Sequence, residues 1–228
     1  MEENKEVKAD ETAKTSDAIS GYSIIEDYLK AIGGRAEVQK VNTISSTLKM
    51  EAMGRELTGR DIRMNPDKLL LEIKMGEITI SKTLFNGITG YKIRNGVKTD
   101  MTPEEIKEQQ DRKGVLPQLY FNAAAYKTEY LGKGKVEEEE TYRLKVEMPS
   151  GKIAVQQYSI KTGLLVEEET TFKQGDAEIP VTIGYKNYQK IGSIMFPTQV
   201  IRNVGEQEFT SNYTDIKFNE GISESDFK

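Results

Sequence analysis

The side chains able to do chemistry in this chain are carboxylates, amines, guanidinia, phenols and aliphatic hydroxyls, because its 228 residues include no histidine and no cysteine. That removes thiolate nucleophiles, disulfides, cysteine-held clusters and any Ser-His-Asp arrangement. It also removes the zinc sites built from His and Cys. Two acidic runs remain. Glu137, Glu138, Glu139 and Glu140 read as a solvated loop or strand edge. Glu167, Glu168 and Glu169 fall in a stretch of strand periodicity, where neighbours point to opposite faces, so the three cannot converge on one substrate. Neither run is a catalytic signature; no enzyme, metal or cofactor is expected.

The totals narrow the partners. Hydrophobic residues at 36% suffice for a core, while charged residues at 30% imply a well-solvated exterior. The net charge of −5 argues against nucleic acid, which needs clustered Lys and Arg to displace phosphate counterions. No apolar run reaches the length of a membrane span. Residues 1–21 are rich in Glu, Lys, Asp and Thr and read as a disordered leader or linker. They have no apolar stretch of signal-peptide type. Residues 22–228 are expected to form a single domain.

The elements that must position any site follow from periodicity. Ser23 and Glu26 have capping-box spacing, and Ile24, Ile25, Tyr28, Leu29 and Ile32 then recur as on a helix that Gly33-Gly34 stops. From Asn42 the period becomes two. Leu48, Met50 and Ala52 alternate with polar residues, and the pattern carries on to Met64 across Gly54 and Gly59. Asn65-Pro66-Asp67 turns the chain into Leu69, Leu71, Ile73 and Met75, a half-buried strand. Asn86-Gly87 and Asn95-Gly96 are hairpin signals, since Asn-Gly supplies the positive φ values of a type I′ turn.

Thr102-Pro103-Glu104-Glu105 opens a helix, with an N-cap, a first-turn proline and acids at the positive end of the dipole. An apolar insert follows up to Tyr126. Its Val115, Leu116, Leu119, Tyr120 and Phe121 must cover something. Strands resume after Gly132 and Gly134, first with Tyr142, Leu144, Val146 and Met148, then over 153–160, 164–172, 181–188, 194–204 and 208–218.

The expected fold is α+β, a curved antiparallel sheet of roughly ten or eleven strands, near the size at which an open sheet curls. The helix at 23–32 and the insert at 102–126 would lie over the concave face. They either fill it as a dry core or roof a cavity. The inward rows for such a cavity are Leu69, Leu71 and Ile73, then Tyr142, Leu144 and Val146, then Phe209 and Tyr213. Tyr185 and Phe196 are cavity wall or plain core. Val115, Leu116, Leu119, Tyr120 and Phe121 would form the lid.

Several segments resemble one family. Tyr28-Leu-Lys-Ala-Ile-Gly-Gly34 is similar to its opening helix, Phe85-Asn-Gly with Gly90-Tyr91 to its central hairpin, and Tyr158-Ser-Ile-Lys-Thr-Gly-Leu-Leu165 to a strand–turn–strand. The close over 185–227 is similar as well. The family is that of the LolA-like lipoprotein carriers, here as found in exported proteins of Bacteroidetes-type bacteria. A similar sequence occurs as the C-terminal region of pitrilysin/insulinase-type zinc peptidases. The resemblance implies a LolA/LolB-like half-barrel with a helical lid, closed around an apolar cavity. It also implies a periplasmic or outer-membrane-associated place, and an apolar ligand or lipoprotein acyl chain as partner. The alternative it implies is a non-catalytic interaction module that meets other domains of an envelope peptidase or outer-membrane complex. The peptidases' H-x-x-E-H motif is impossible here without histidine. The basic residue that engages the lid in the carriers has no match; Arg60 and Arg94 read as solvated strand positions.

Overall fold

The computed structural model describes residues 19–52, 54–174 and 177–228, so the leader expected at 1–21 lies outside the described residues up to position 18. Among the described residues thirteen strands form one sheet. They are β1 (Thr43–Ala52), β2 (Arg55–Met64), β3 (Lys68–Met75), β4 (Ile78–Phe85), β5 (Gly90–Arg94), β6 (Val97–Asp100), β7 (Lys127–Val136), β8 (Glu139–Glu147), β9 (Ile153–Ser159), β10 (Leu165–Gln174), β11 (Ala177–Ile191), β12 (Ile194–Val204) and β13 (Gln207–Phe218). Their spatial order is β6-β5-β4-β3-β2-β1-β13-β12-β11-β10-β9-β8-β7. Every pair is antiparallel and, apart from β1 with β13, joins strands consecutive in sequence.

The strand count is thus thirteen rather than ten or eleven, and the sheet is open, with β6 and β7 as its edges. Apolar alternation runs unbroken through β1 and β2, which hides the turn at Gly54 (φ +69°) between them. Strand β6 is four exposed residues with no inward row. In β7 the glycines 132 and 134, with Lys133 between them and Lys135 after, erase the pattern.

Because β6 and β7 follow one another in sequence yet sit at opposite edges, residues 101–126 must cross from one edge to the other. They do so through α3 (Pro103–Gln110), capped by the reciprocal Thr102–Glu105 box, and a 3-10 turn at Pro117–Tyr120. This strap also demonstrates the curl. Asp111 bonds Ser150 in the β8–β9 turn, while Gly114 N donates to Pro66 O in the β2–β3 turn. In a flat sheet those turns would be about seven strand spacings apart, about 34 Å. Three residues of chain span at most about 11 Å. Seven steps of right-handed twist also rotate the strands by about 150°, which brings opposite ends of the sheet together.

Helix α1 (Gly21–Ala31) lies over β7 and β8 with Ile24, Ile25, Tyr28 and Leu29 buried. Its N-cap is Ser20, which exchanges bonds with Ser23. The capping box expected at Ser23 and Glu26 is therefore one turn earlier, and the Glu26 carboxylate is free for another partner. The helix stops at Gly33 (φ +133°), where Met195 N donates to Ile32 O at 2.9 Å and pins its end on the β11–β12 turn. The short α2 (Arg35–Val38) leads into β1.

Among the described residues two buried clusters hold the fold. The larger joins α1, Val38, Val41 and Ile44 to Val115, Leu116, Phe121 and Tyr126 of the strap and to Leu144, Val146, Tyr158, Leu165 and Ile194 of the sheet. The smaller lies on the opposite face, where Ile62, Leu70 and Leu84 are covered by Phe227 from a 3-10 turn at Glu224–Phe227. The final segment thus packs on the outside of the sheet; it is no part of the closing strands.

Candidate functional site

Residues directly opposite one another in an antiparallel ladder share a face, so the register assigns every inward row. One row runs Ile73, Gly59, Leu48, Tyr213 across four strands. Another runs Leu69, Arg63, Ile44, Phe218, and between them Leu71 lies beside Asp61 and Ser46. A third crosses seven strands as Phe209, Arg202, Ile183, Glu168, Gln156, Leu144 and Tyr130. Tyr185 is opposite Val200 beside it, and Tyr142 is opposite Tyr158. Phe196 follows the same alternation along β12 and meets Phe218 edge-on at 5.8 Å. The structure therefore brings all ten wall residues named from the sequence onto one concave face.

It divides them into two zones. Tyr142, Leu144, Val146, Tyr185 and Phe196 pack into or against the larger buried cluster, with Leu144 and Val146 wholly enclosed. Leu69, Leu71, Ile73, Phe209 and Tyr213 belong to neither cluster and stay half-exposed. Met50, Leu57 and Met75 extend this second zone along the same face. The first zone is core beneath α1, and the second is an apolar shelf.

A polar band separates the zones. Tyr158, edge-on to Tyr28 at 5.4 Å, donates to Gln156 Oε1 at 2.5 Å, and Gln156 Nε2 donates to Glu168 at 2.7 Å. Burial pushes the Tyr158 phenol well above its usual range, with Tyr28 adding to the shift. Asp61 and Arg63, two apart on β2 and hence on one face, form a two-bond ion pair at 2.7 and 3.0 Å. That carboxylate holds the Arg63 guanidinium above its ordinary value. Burial raises Tyr213 to about 12, with Asp61 adding to it. Arg202 goes the other way: desolvation and then the nearby charge of Arg112 lower it. Its side chain is nonetheless open to solvent, so it stands in a wet concavity walled by protein.

The expected lid residues are mostly core. Val115, Leu116 and Phe121 are buried against α1, while Leu119 and Tyr120 pack half-exposed beside them. The strap is also fastened. Val115 N donates to Asn65 Oδ1 at 2.8 Å, and Tyr126 Oη donates to Asp111 O at 2.8 Å. Arg35 grips Glu26, with Nε at 3.3 Å, and reaches Leu119 O at 3.4 Å; Asn122 Nδ2 donates to Glu26 at 3.1 Å. Arg35 is thus the basic residue that holds the strap. Arg60 is exposed, and Arg94 serves its own strand neighbours Ser81 and Ile93. The only trace of this role in the sequence is an arginine directly after the Gly-Gly helix stop.

Two clefts lie elsewhere. One of about 390 Å³ sits between α1 and the β8–β9 strands beside Asp27, Lys30, Tyr142 and Tyr158. Another of about 650 Å³ lies among Glu104, Lys107, Glu108, Lys152 and Glu178 at the foot of α3. Neither is lined by the shelf or by the lid residues. Among the acidic runs, Glu137 and Glu138 make the β7–β8 turn and pair with Lys186 and Lys135. Glu168 faces inward, whereas Glu167 and Glu169 share Gln157 Nε2 on the outer face at 2.8 and 3.2 Å.

No protein-family model and no curated protein matches the chain. Solved structures do. A LolA superfamily protein from Nitrosomonas europaea matches with a TM-score of 0.59 at 13% identity, over 92% of this chain and 98% of its own. A DUF1329 family protein from Desulfovibrio piger gives 0.59 at 12%, over 91% and 97%. A domain described as an outer membrane lipoprotein-sorting protein, from Vibrio parahaemolyticus, gives 0.58 at 13%, over 91% and 96%. At these identities the likeness is one of fold: the chain is a LolA-like curled antiparallel sheet with few helices.

Proposed function

We propose that this chain is a non-catalytic carrier-type domain of the bacterial envelope or periplasm, which holds a lipid or lipoprotein acyl chain on its concave face. The observation that carries this reading is the shelf of Leu69, Leu71, Ile73, Phe209 and Tyr213, half-exposed on the same face whose other half is core. An unburied apolar strip beside a wet polar band suits an extended chain. Covering apolar surface contributes about 25 cal/mol per Å², so half of a long acyl chain supplies several kcal/mol. Likeness of fold to a LolA superfamily protein and a lipoprotein-sorting domain supports the same reading. The strap, including Leu119 and Tyr120, would border the ligand, while Val115, Leu116 and Phe121 hold it in place.

The finer expectations, a Bacteroidetes-type source and a role beside an envelope zinc peptidase, draw no support from the solved structures found. The test is lipid extraction and mass spectrometry of the purified protein, together with titration of a fluorescent fatty acid. Stoichiometric lipid, or micromolar binding lost in Ile73→Glu, is expected. Absence of both co-purified lipid and fatty-acid binding would overturn the reading.

A further inference from the structure

One half-exposed row crosses the sheet instead of following a strand. Met50 is opposite Leu57 on one side and Ser211 on the other, Ser211 is opposite Val200, and Val200 is opposite Tyr185. Met75 continues the row on β3, one place beyond the paired Thr58 and Lys74, and faces Ile78. From Met75 to Tyr185 every member is half-exposed. Phe209 and Tyr213 flank Ser211 along β13, so the small hydroxyl leaves a notch between two rings.

Five strand spacings separate β3 from β11, about 24 Å. One leaflet of acyl chains spans about 15 Å of a bilayer core, so a chain of membrane length fits the row whole. The line along β3 from Leu69 to Met75 is one strand wide and passes beside the Asp61–Arg63 ion pair.

The two ends of the row differ. Tyr185 packs against the buried cluster that α1 and the strap share, whereas Met75 lies at the rim opposite Ile78, which is 63% exposed. There Arg55 Nη1 donates to Met75 Sδ at 3.4 Å; this thioether is the only acceptor of its side chain among the described residues, and it forms no ion pair there. A thioether is a weak acceptor, so the guanidinium fork is held over the end of the row and left unspent. Glu51 and Glu56, its nearest carboxylates in sequence, are opposite each other on the outer face. A guanidinium fork matches a carboxylate or a phosphate.

Resting on the carrier reading, we propose that the acyl chain lies across the strands along this row, methyl end at Tyr185, and that Arg55 holds its oxyanion head at the rim. Ser211 sets the path, and Arg55 selects an anionic amphiphile.

The direction is tested on the whole chain with labelled methionine methyl groups and spin-labelled stearic acids. A label near the head is expected to broaden Met75 more than Met50, and one near the tail to reverse that order. In binding titrations Arg55→Gln should weaken stearic acid about five-fold and leave its methyl ester unchanged, with Arg55→Lys restoring much of the loss. Ser211→Phe, which fills the notch, should weaken acid and ester alike, about ten-fold. Unaltered unfolding midpoints show that the variants fold. A lysophosphatidic acid arm separates phosphate from carboxylate heads, and loss of either in Arg55→Gln supports the anchor. The opposite broadening order, equal broadening by both labels, a Ser211→Phe variant that binds normally, or an Arg55→Gln variant that treats acid and ester alike would overturn the proposal and leave the carrier reading standing. Binding of no amphiphile at all would overturn both.

Discussion

The Asp111 carboxylate accepts both the backbone amide of Ser150, at 2.9 Å, and its hydroxyl, and so ties the end of α3 to the β8–β9 turn. Asp111 is almost fully buried, and removing it takes away the charged acceptor of both Ser150 bonds. Asp111→Ala should destabilise the protein by about 1–3 kcal/mol. Asp111→Asn, which keeps an acceptor, should lose less. Denaturant titration of the two variants checks the order.

The two fastenings of the strap should answer acid in opposite ways. Burial raises the Asp111 pKa, so its ionised form works against the fold at neutral pH. That penalty is relieved as pH falls through the raised value. The Arg35 hydrogen bond lowers the Glu26 pKa. Its contribution is present above the ordinary 4.5 and is lost as pH falls through the lowered value. Carboxyl carbon shifts followed between pH 6 and 2 should therefore show Asp111 titrating above the range ordinary for an aspartate and Glu26 below that of a glutamate. The Asn122 side-chain amide signal should move with Glu26.

The two zones of the concave face predict a division between stability and binding. Leu144→Ala, in the enclosed zone, should lower stability by about 2–5 kcal/mol. Leu71→Ala, on the shelf, should lower it by much less and weaken fatty-acid binding several-fold. Parallel unfolding and binding titrations check both; equal stability losses would show the shelf to be core.

Adjacent glycines should differ in tolerance. A Cβ on Gly33 would meet Ser193 O at 2.4 Å in a positive-φ conformation, whereas one on Gly34, also at positive φ, meets nothing within 4 Å. Gly34→Ala should cost about 1 kcal/mol from backbone strain alone. Gly33→Ala should cost more and lift the end of α1 off the β11–β12 turn, measurable as lost exchange protection at the Met195 amide.

Much of this was legible where local chemistry dominates. Asn95 and Gly96 take the positive φ values that their hairpin signal requires, and Thr102 caps α3 with Glu105 as spaced. The alternation of Leu69, Leu71 and Ile73 placed them on one face. What was illegible depends on the third dimension. Periodicity cannot tell a covered row from an uncovered one, so Leu144 and Leu71 read alike. Strand β7 pairs on one side only, and Gly132 and Gly134 interrupt the side-chain alternation that would mark it. Arg35 gains its partner through a strap that lies 84 residues away at Leu119. Arg202 reads as one more solvated charge until the register sets it between Ile183 and Phe209.

Phe227 offers a further test, since it is 2% exposed on the outer face. Phe227→Ala should destabilise by about 3 kcal/mol, near the lower end for a buried aromatic because the final segment can relax. Fatty-acid binding on the opposite face should be unchanged. A loss of binding in proportion to stability would show the two faces to be coupled.

The strand order carries a kinetic consequence. Eleven of the twelve ladders join sequence neighbours, and only β1 with β13 is remote. Loop-closure entropy for neighbours is small, so β1–β6 and β7–β13 can each zip as a meander in its own time. The β1–β13 ladder must then close a loop of most of the chain, and it becomes the slow seam where two independently formed halves meet. Leu48 and Tyr213, opposite each other on that ladder, are the residues whose contact should appear last in refolding.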